Sequence, residues 1–178
     1  IVLLAFIGWT VATISGIARP PVAAALTIDV SARQWWWGFR YEDVGAAKGF
    51  ATANEIHIPV GKPVQFNLTS PDVIHSFWVP ALGGKTDVIP GQTNQMWLEA
   101  SKPGIYRGQC SEYCGQEHAE MGLYVVAEPE AQFEAWRATQ AVAASAPASS
   151  DLQAGLARFV ARCGSCHTVR GTAAKGDK

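Results

Sequence analysis

The first 18 residues, Ile1 to Ala18, form a predominantly apolar run without a single charge. About 20 apolar residues are needed to cross a bilayer as a helix. The run therefore predicts most of a transmembrane helix, the end of an N-terminal membrane anchor, closed by Arg19-Pro20-Pro21. A secretory leader is the competing reading, with Ala23-Ala24-Ala25 as its small-residue cleavage site. The run is longer than the usual leader core and no basic stretch precedes it, which favours the membrane helix. It has no polar face, which argues against a buried helix of a soluble domain.

From Leu26 to Glu128 the pattern shortens to β-type runs between Gly and Pro breaks. The runs are LTIDVSARQWWWGFRY, NEIHI, PVQFNLTS, VIHSFWV, TNQMWLEA, GIYRGQ and GLYVVAE. Breaks at Pro59-Val60-Gly61, Gly83-Gly84, Pro90-Gly91 and Pro103-Gly104 recur at the spacing of an all-β sandwich or barrel. Roughly seven or eight strands fit, enough for a closed antiparallel core. Residues 129–140 read as one short helix, with Pro129 near its start and Phe133 and Trp136 on one face. The small-residue stretch 141–150 has no periodicity and reads as a linker. Residues 151–178 read as the beginning of another domain, with Asp151 capping a helix through Leu152, Leu156 and Phe159 to Arg162.

Charge adds little to this picture. Lys and Arg (14) nearly balance Asp and Glu (15), and no basic tract is present, so nucleic acid is not an expected partner. The four cysteines change it more, because they fall into two close pairs, Cys110/Cys114 and Cys163/Cys166. Such spacing with histidines nearby points to metal or haem chemistry, not to a disulfide-stapled scaffold.

The densest chemistry is CSEYCGQEHAEM, residues 110–121, which holds Cys110, Cys114, His118 and Met121. His75 lies in an upstream run. Two thiolates, two imidazoles and a thioether are a soft donor set that suits copper. Zinc sites favour shorter gaps between cysteines and do not use methionine. Two thiolates are one more than a mononuclear blue-copper site needs, and they can bridge two copper ions. Taken singly, the cysteines could form a local disulfide, His118 could be a solvated loop residue and Met121 a core filler. Their shared window favours a common ligand. His57 has no companion ligand and reads as a structural strand residue.

Cys163-Gly164-Ser165-Cys166-His167 is a C-x-x-C-H sequence, the pattern of covalent c-type haem attachment with His167 as proximal ligand. The only methionines, Met96 and Met121, lie upstream, and no histidine follows His167. A distal ligand is therefore expected beyond Lys178, in a longer gene product.

The segment Leu26 to Met121 resembles subunit II of cytochrome c oxidase. The matching stretches are QWWWGFRY (34–41), SPDVIHSFWVPALGGKTDVIPGQTNQMW (70–97) and PGIYRGQCSEYCGQEHAEM (103–121), together with the preceding apolar run. The resemblance implies a mainly β fold, a cupredoxin-like Greek-key barrel over residues 26–128. It implies a dinuclear copper A centre ligated by the side chains of His75, Cys110, Cys114, His118 and Met121 and by the backbone carbonyl of Glu112. The Glu112 carboxylate would face a magnesium shared with the catalytic subunit. Trp35 would be the tryptophan through which electrons enter, and Asp72, Lys85 and Asp87 would face the catalytic subunit. Trp36 stands where the family commonly has tyrosine, and Arg33 where many relatives have histidine.

With the haem motif behind it, the chain is similar to the caa3-type oxidases, whose subunit II carries its own cytochrome c. The function this implies is single-electron transfer from haem c through copper A to a separate subunit I that reduces oxygen and pumps protons. The expected place is the bacterial inner membrane, with the copper and haem domains on its outer side. Expected partners are subunit I and other oxidase subunits, membrane lipid, and cytochrome c or a quinol-oxidising complex as donor. A thioredoxin-like copper-delivery factor is disfavoured because His118 and Met121 follow the cysteines at once and no α/β alternation appears. A nitrous-oxide reductase domain would follow a propeller, not an apolar helix, and quinol-oxidase subunits lack the copper cysteines.

Overall fold

A computed structural model describes residues 1–18, 20, 22–42, 49–140 and 142–176. Ala141 of the expected linker and the last two residues of the 151–178 segment lie outside them. The chain divides into two compact units, Ile1–Trp136 and Arg137–Lys178.

The first unit opens with helix α1, Val2–Ile17, none of whose residues is buried. Its 16 residues span roughly 24 Å at 1.5 Å per residue, against about 30 Å for a bilayer core. Among the described residues no helix is long and apolar enough to cross a membrane. The indole N–H of Trp97 donates to the Ile17 carbonyl at the end of α1, 2.9 Å away.

Among the described residues ten strands follow: β1 Leu26–Arg33, β2 Trp36–Tyr41, β3 Phe50–Ala53, β4 Glu55–Pro59, β5 Val64–Thr69, β6 His75–Trp78, β7 Thr86–Val88, β8 Asn94–Leu98, β9 Gly104–Cys110 and β10 Gly122–Glu128. They form two five-stranded sheets, ordered β3-β2-β1-β5-β8 and β4-β10-β9-β6-β7. This is the mainly β, cupredoxin-like fold that the resemblance implied, here as two sheets forming a half-barrel. The alternation in β1, with Leu26, Ile28, Val30 and Ala32 buried and their neighbours outward, is what a two-layer sheet requires.

Two expectations need correction. The run LTIDVSARQWWWGFRY is not one strand but a hairpin, because Gln34 and Trp35 turn the chain between β1 and β2 and Arg33 pairs with Trp36. The ladders are not all antiparallel either: β1 runs parallel to β5, and β4 parallel to β10. Each parallel pair joins strands that are not adjacent in sequence, so no local pattern announces it.

The inner faces meet over Trp37, Phe39, Phe66 and Phe77, all essentially inaccessible to solvent. Trp37 and Phe39 set their edges against Phe77, at centroid distances of 5.3 and 6.4 Å. Each fully buried large side chain is worth about 1.5–3 kcal/mol of transfer free energy. This core lies directly beneath His75, whose ring contacts Trp37 edge-on at 6.2 Å. Helix α2, Glu130–Gln140, closes the lower end by burying Phe133.

In the second unit, helix α3 runs Ser150–Arg162. The cap is Ser149, not Asp151: the Ser149 hydroxyl accepts from the Leu152 N–H at 3.3 Å. Asp151 instead sits in the first turn, where its charge favours the helix dipole.

Candidate metal centre

The centre is built on sheet edges and loops of the first unit. β6 presents His75, fully buried, on the same inner face as Phe77. β9 ends at Cys110, paired with Phe77 across the ladder. The loop after Cys110 carries Cys114 and makes one 3-10 turn, His118–Glu120, before β10 begins. Cys110 N–H donates to the Met121 carbonyl at 3.0 Å, so the loop closes on itself and brings its two ends together.

The donor atoms form a continuous chain. His75 Nδ1 lies 3.8 Å from Cys110 Sγ, which lies 3.9 Å from Cys114 Sγ. Cys114 Sγ is 3.5 Å from His118 Nδ1 and 3.7 Å from Met121 Sδ. The Glu112 carbonyl oxygen lies 3.2 Å from Cys110 Sγ. Each sulfur thus has one imidazole nitrogen and one weaker donor beside it. The cysteines are free thiols, too far apart for a disulfide. Among the described residues, the His75, Cys110 and Cys114 ligand atoms alone satisfy a three-group metal cluster of His, Cys and carboxylate donors.

The electrostatics separate the two thiols. Burial alone would raise Cys110, but contacts with the His75 ring and with the Glu112 and Ser76 backbone bring it down to about 6. Burial and the neighbouring Cys110 charge push Cys114 up to about 12. A site that readily ionises one thiol and resists the second gains from a cation that compensates both.

Around the donors stands a shell that the residue pattern does not announce. Asp72 Oδ1 accepts from His75 Nε2 at 2.8 Å, leaving Nδ1 turned toward Cys110. Burial works against the ionised Asp72 carboxyl, but hydrogen bonds from His75, the Gln34 and Val73 N–H groups and the Ser70 hydroxyl hold it below its ordinary value. The Cys114 carbonyl accepts the Trp35 indole N–H at 3.1 Å and the Gln34 side-chain amide at 2.7 Å. Trp35, half-buried, therefore touches a donor residue directly. Nothing local to Gln34 marks its partner, a backbone carbonyl 80 positions away.

The other singled-out residues lie elsewhere. Lys85 and Asp87 are exposed and pair with each other at 3.6 Å. The Arg33 guanidinium lies 5.8 Å over the Trp36 ring, so the two departures from the family pattern contact one another. His57 sits in β4 with its ring nitrogens on Glu128 and Glu55, at 2.8 and 3.2 Å.

In the second unit the C-x-x-C-H motif begins where α3 stops. Cys163 and Gly164 N–H groups both donate to the Phe159 carbonyl, and Cys166 and His167 N–H groups to the Cys163 carbonyl. This tight turn leaves Cys166 and His167 exposed, with the His167 ring 6.3 Å from that of Phe159. A Cβ at Gly164 would come within 2.6 Å of the Val160 carbonyl, so only glycine fits between the cysteines there. An open apolar groove of about 450 Å³ lies along α3, lined by Leu156, Ala157, Val160 and Ala173 among others. Part of the expected linker is held in this unit, for the Ala144 N–H donates to the Arg170 carbonyl at 3.0 Å.

The model for the cytochrome c oxidase subunit II periplasmic domain matches residues 44–128. The chain is 42% identical over 146 residues to a cytochrome c oxidase subunit 2 of Alkalihalophilus pseudofirmus, covering 82% of this chain and 42% of that protein. It thus spans less than half the length of that curated relative. The crystal structure of the periplasmic domain of subunit II of cytochrome oxidase from Bradyrhizobium japonicum is 36% identical, with a TM-score of 0.62, covering 67% of this chain and 95% of that one. A subunit II trapped as a mixed-disulfide intermediate with a thioredoxin-like protein is 34% identical, with a TM-score of 0.59 over 68% of this chain and 94% of that one. With its two-sheet fold and its clustered soft donors, the chain belongs to the cytochrome c oxidase subunit II periplasmic domain family, the copper A domain.

Proposed function

We propose that this chain is the electron-accepting part of a haem–copper terminal oxidase, holding a dinuclear copper centre and, in its second unit, a covalent haem c of the caa3 kind. The observation that carries the reading is the chain of donor atoms His75, Cys110, Cys114 and His118, with sulfurs 3.9 Å apart and each beside an imidazole. Two soft thiolates at that separation suit two copper ions better than one zinc, and Met121 and the Glu112 carbonyl, each beside a different sulfur, would be the weaker donors. Copper bound there would supply a one-electron couple.

The protein's own part is to hold the donors rigidly and to keep them dry. Cys110, Cys114, Met121 and His75 are all nearly or fully buried. Trp35 offers a half-exposed aromatic surface bonded to the Cys114 backbone, which supports its role as the point where electrons enter. Glu112 is exposed, and its carboxylate would contact a magnesium at the boundary with subunit I. Cys163 and Cys166 would carry the haem thioethers, with His167 as proximal ligand. Their fit is supported by the turn after α3, which exposes Cys166 and His167. The domains we assign are 1–18 as the end of a membrane anchor, 26–128 as the copper domain, 129–140 as a short helix, 141–150 as a linker and 151–178 as the start of a cytochrome c domain. The copper and haem domains then face the outer side of the bacterial inner membrane, where subunit I accepts the electron and reduces oxygen with proton pumping. The donor is cytochrome c or a quinol-oxidising complex.

The test is metal analysis and EPR of the chain loaded with copper. Two coppers per chain and a hyperfine pattern from two equivalent nuclei are expected. A single-copper pattern, or tightly held zinc, overturns the dinuclear assignment.

A further inference from the structure

Gln34 occupies the turn between β1 and β2, on the sheet that carries none of the site's donors. The residue is largely exposed, yet both of its nitrogens donate hydrogen bonds. The side-chain amide donates to the Cys114 carbonyl at 2.7 Å, the shorter of the two hydrogen bonds that this carbonyl accepts. The backbone N–H donates to Asp72 Oδ2 at 2.8 Å. The other oxygen of the same carboxylate accepts from His75. One turn of the first sheet is thereby bonded both to the 110–121 loop and to the β5–β6 connection that leads into His75.

The loop has little else to hold it. Among the described residues, residues 112–117 make no backbone–backbone hydrogen bond to anything outside the 110–121 loop. Gly115, at φ 121°, lets the loop approach the turn closely: a Cβ there would meet the Gln34 amide nitrogen at 3.0 Å and the Trp35 ring at 3.1 Å. The close approach is thus matched from both sides, by a glycine in the loop and by two N–H donors in the turn.

We propose that Gln34 is a positioning residue of the copper site. Its amide anchors the backbone of Cys114, and so the direction of Sγ toward Cys110, His118 and Met121. Its own N–H orients the Asp72 carboxylate that fixes the His75 ring. A carbonyl oxygen has two lone pairs, and here both are used. Losing the Gln34 donor leaves the loop two bonds to the first sheet, the Trp35 indole N–H on the Cys114 carbonyl and, at the loop's far end, the Trp37 indole N–H on the Met121 carbonyl at 3.4 Å. The inference rests on the copper reading of this site, but its mechanical part is independent of metal.

The test uses the full chain and the variants Gln34→Ala and Gln34→Glu. The glutamate keeps the shape and, ionised, cannot donate, so both variants should behave alike. In the metal-free protein, amide hydrogen exchange across residues 111–117 should quicken by about fivefold, the scale of one neutral hydrogen bond. In the copper-loaded protein both variants should keep their copper but release it to a chelator faster, with altered hyperfine splitting. Thermal melting should hardly move, which separates positioning from a general structural role. Exchange, release and spectrum all equal to wild type in both variants would overturn the inference. A wild-type chain that takes up no copper pair, while Gln34→Ala still loosens the loop, would instead overturn the copper reading and leave the anchoring role standing.

Discussion

Tyr41 and His57 are joined through a single hydroxyl. The Tyr41 Oη donates to the His57 carbonyl at 2.9 Å and accepts from the His57 N–H at 2.8 Å. A buried side chain of the first sheet thus satisfies both backbone groups of one residue in the second. His57 in turn lies flat against Trp136, with ring centroids 4.0 Å apart and planes within 7°. The pair is the hinge by which sheet, sheet and α2 are fastened at the end of the barrel away from the metal donors.

That geometry has a pH consequence. Burial raises the Tyr41 phenol far above its usual 10.0, with the His57 backbone bond opposing and the Glu55 and Glu128 charges adding. Above about pH 10 the unfolded phenol loses its proton while the folded one keeps it. The unfolded state then binds fewer protons, so this group's contribution, complete below that pH, is lost at up to about 1.4 kcal/mol per unit as pH rises. Tyr41→Phe should destabilise the domain by about 1–3 kcal/mol at neutral pH, by orphaning the His57 N–H and carbonyl. Above about pH 10 the gap to wild type should shrink. Denaturant titrations of both proteins check this, and parallel pH profiles would count against it.

The α2 attachment predicts a second effect. Trp136 contacts Tyr41, Phe50 and Phe133 as well as His57. Trp136→Ala should cost about 3 kcal/mol by opening this aromatic cluster, with copper uptake at the far end of the barrel unchanged. Loss of copper uptake at a temperature where the variant remains folded would show that the two ends are not independent.

Gly108 in β9 has no room for a side chain. A Cβ would come within 2.8 Å of Leu123 Cγ and 2.9 Å of the Trp78 carbonyl. Gly108→Ala should destabilise by roughly 1–3 kcal/mol through overpacking. Gly84, with nothing within 4 Å of its Cβ position, should accept alanine at little cost. Comparable melting temperatures for the two variants would contradict the crowding argument.

At the metal centre the donors should not be equivalent. Met121→Leu should preserve two coppers and shift the potential, since a thioether would be a weak donor that tunes a copper site more than it holds it. Cys114→Ser should lose the dinuclear spectrum, because its sulfur neighbours Cys110, His118 and Met121 together. EPR and potentiometry decide; an emptied Met121→Leu beside an intact Cys114→Ser would reverse the roles.

The second unit carries its own test. Expressed where haem is attached to C-x-x-C-H motifs, the complete protein should carry one covalent haem c that survives denaturation. Cys163→Ala/Cys166→Ala should remove it without touching the copper signal. Within the assembled oxidase, truncation after Ser150 should leave reduction of copper by a small artificial reductant intact and slow turnover with the physiological donor. Unchanged turnover would place the fused cytochrome off the main path.

What the sequence determined by itself is what is local. The apolar run of α1, the period-two alternation of β1 and the C-x-x-C-H turn all follow from neighbours within a few residues. So does most of the metal centre: Cys110, Cys114, His118 and Met121 share one short loop, so their spacing alone implies a common ligand. Tertiary structure decided what alternation cannot encode. Period-two patterning says which face of a strand is buried but not which strand lies beside it, so the parallel pairings of β1 with β5 and β4 with β10 appear only in the fold. The same holds for the shell around the donors. Asp72 could have faced any partner, and the fold set it on His75. Gln34 and Trp35 converge on the carbonyl of Cys114, and every residue owns such a carbonyl. A backbone acceptor carries no side-chain identity, so only the chain's path through space could show which donors would reach it.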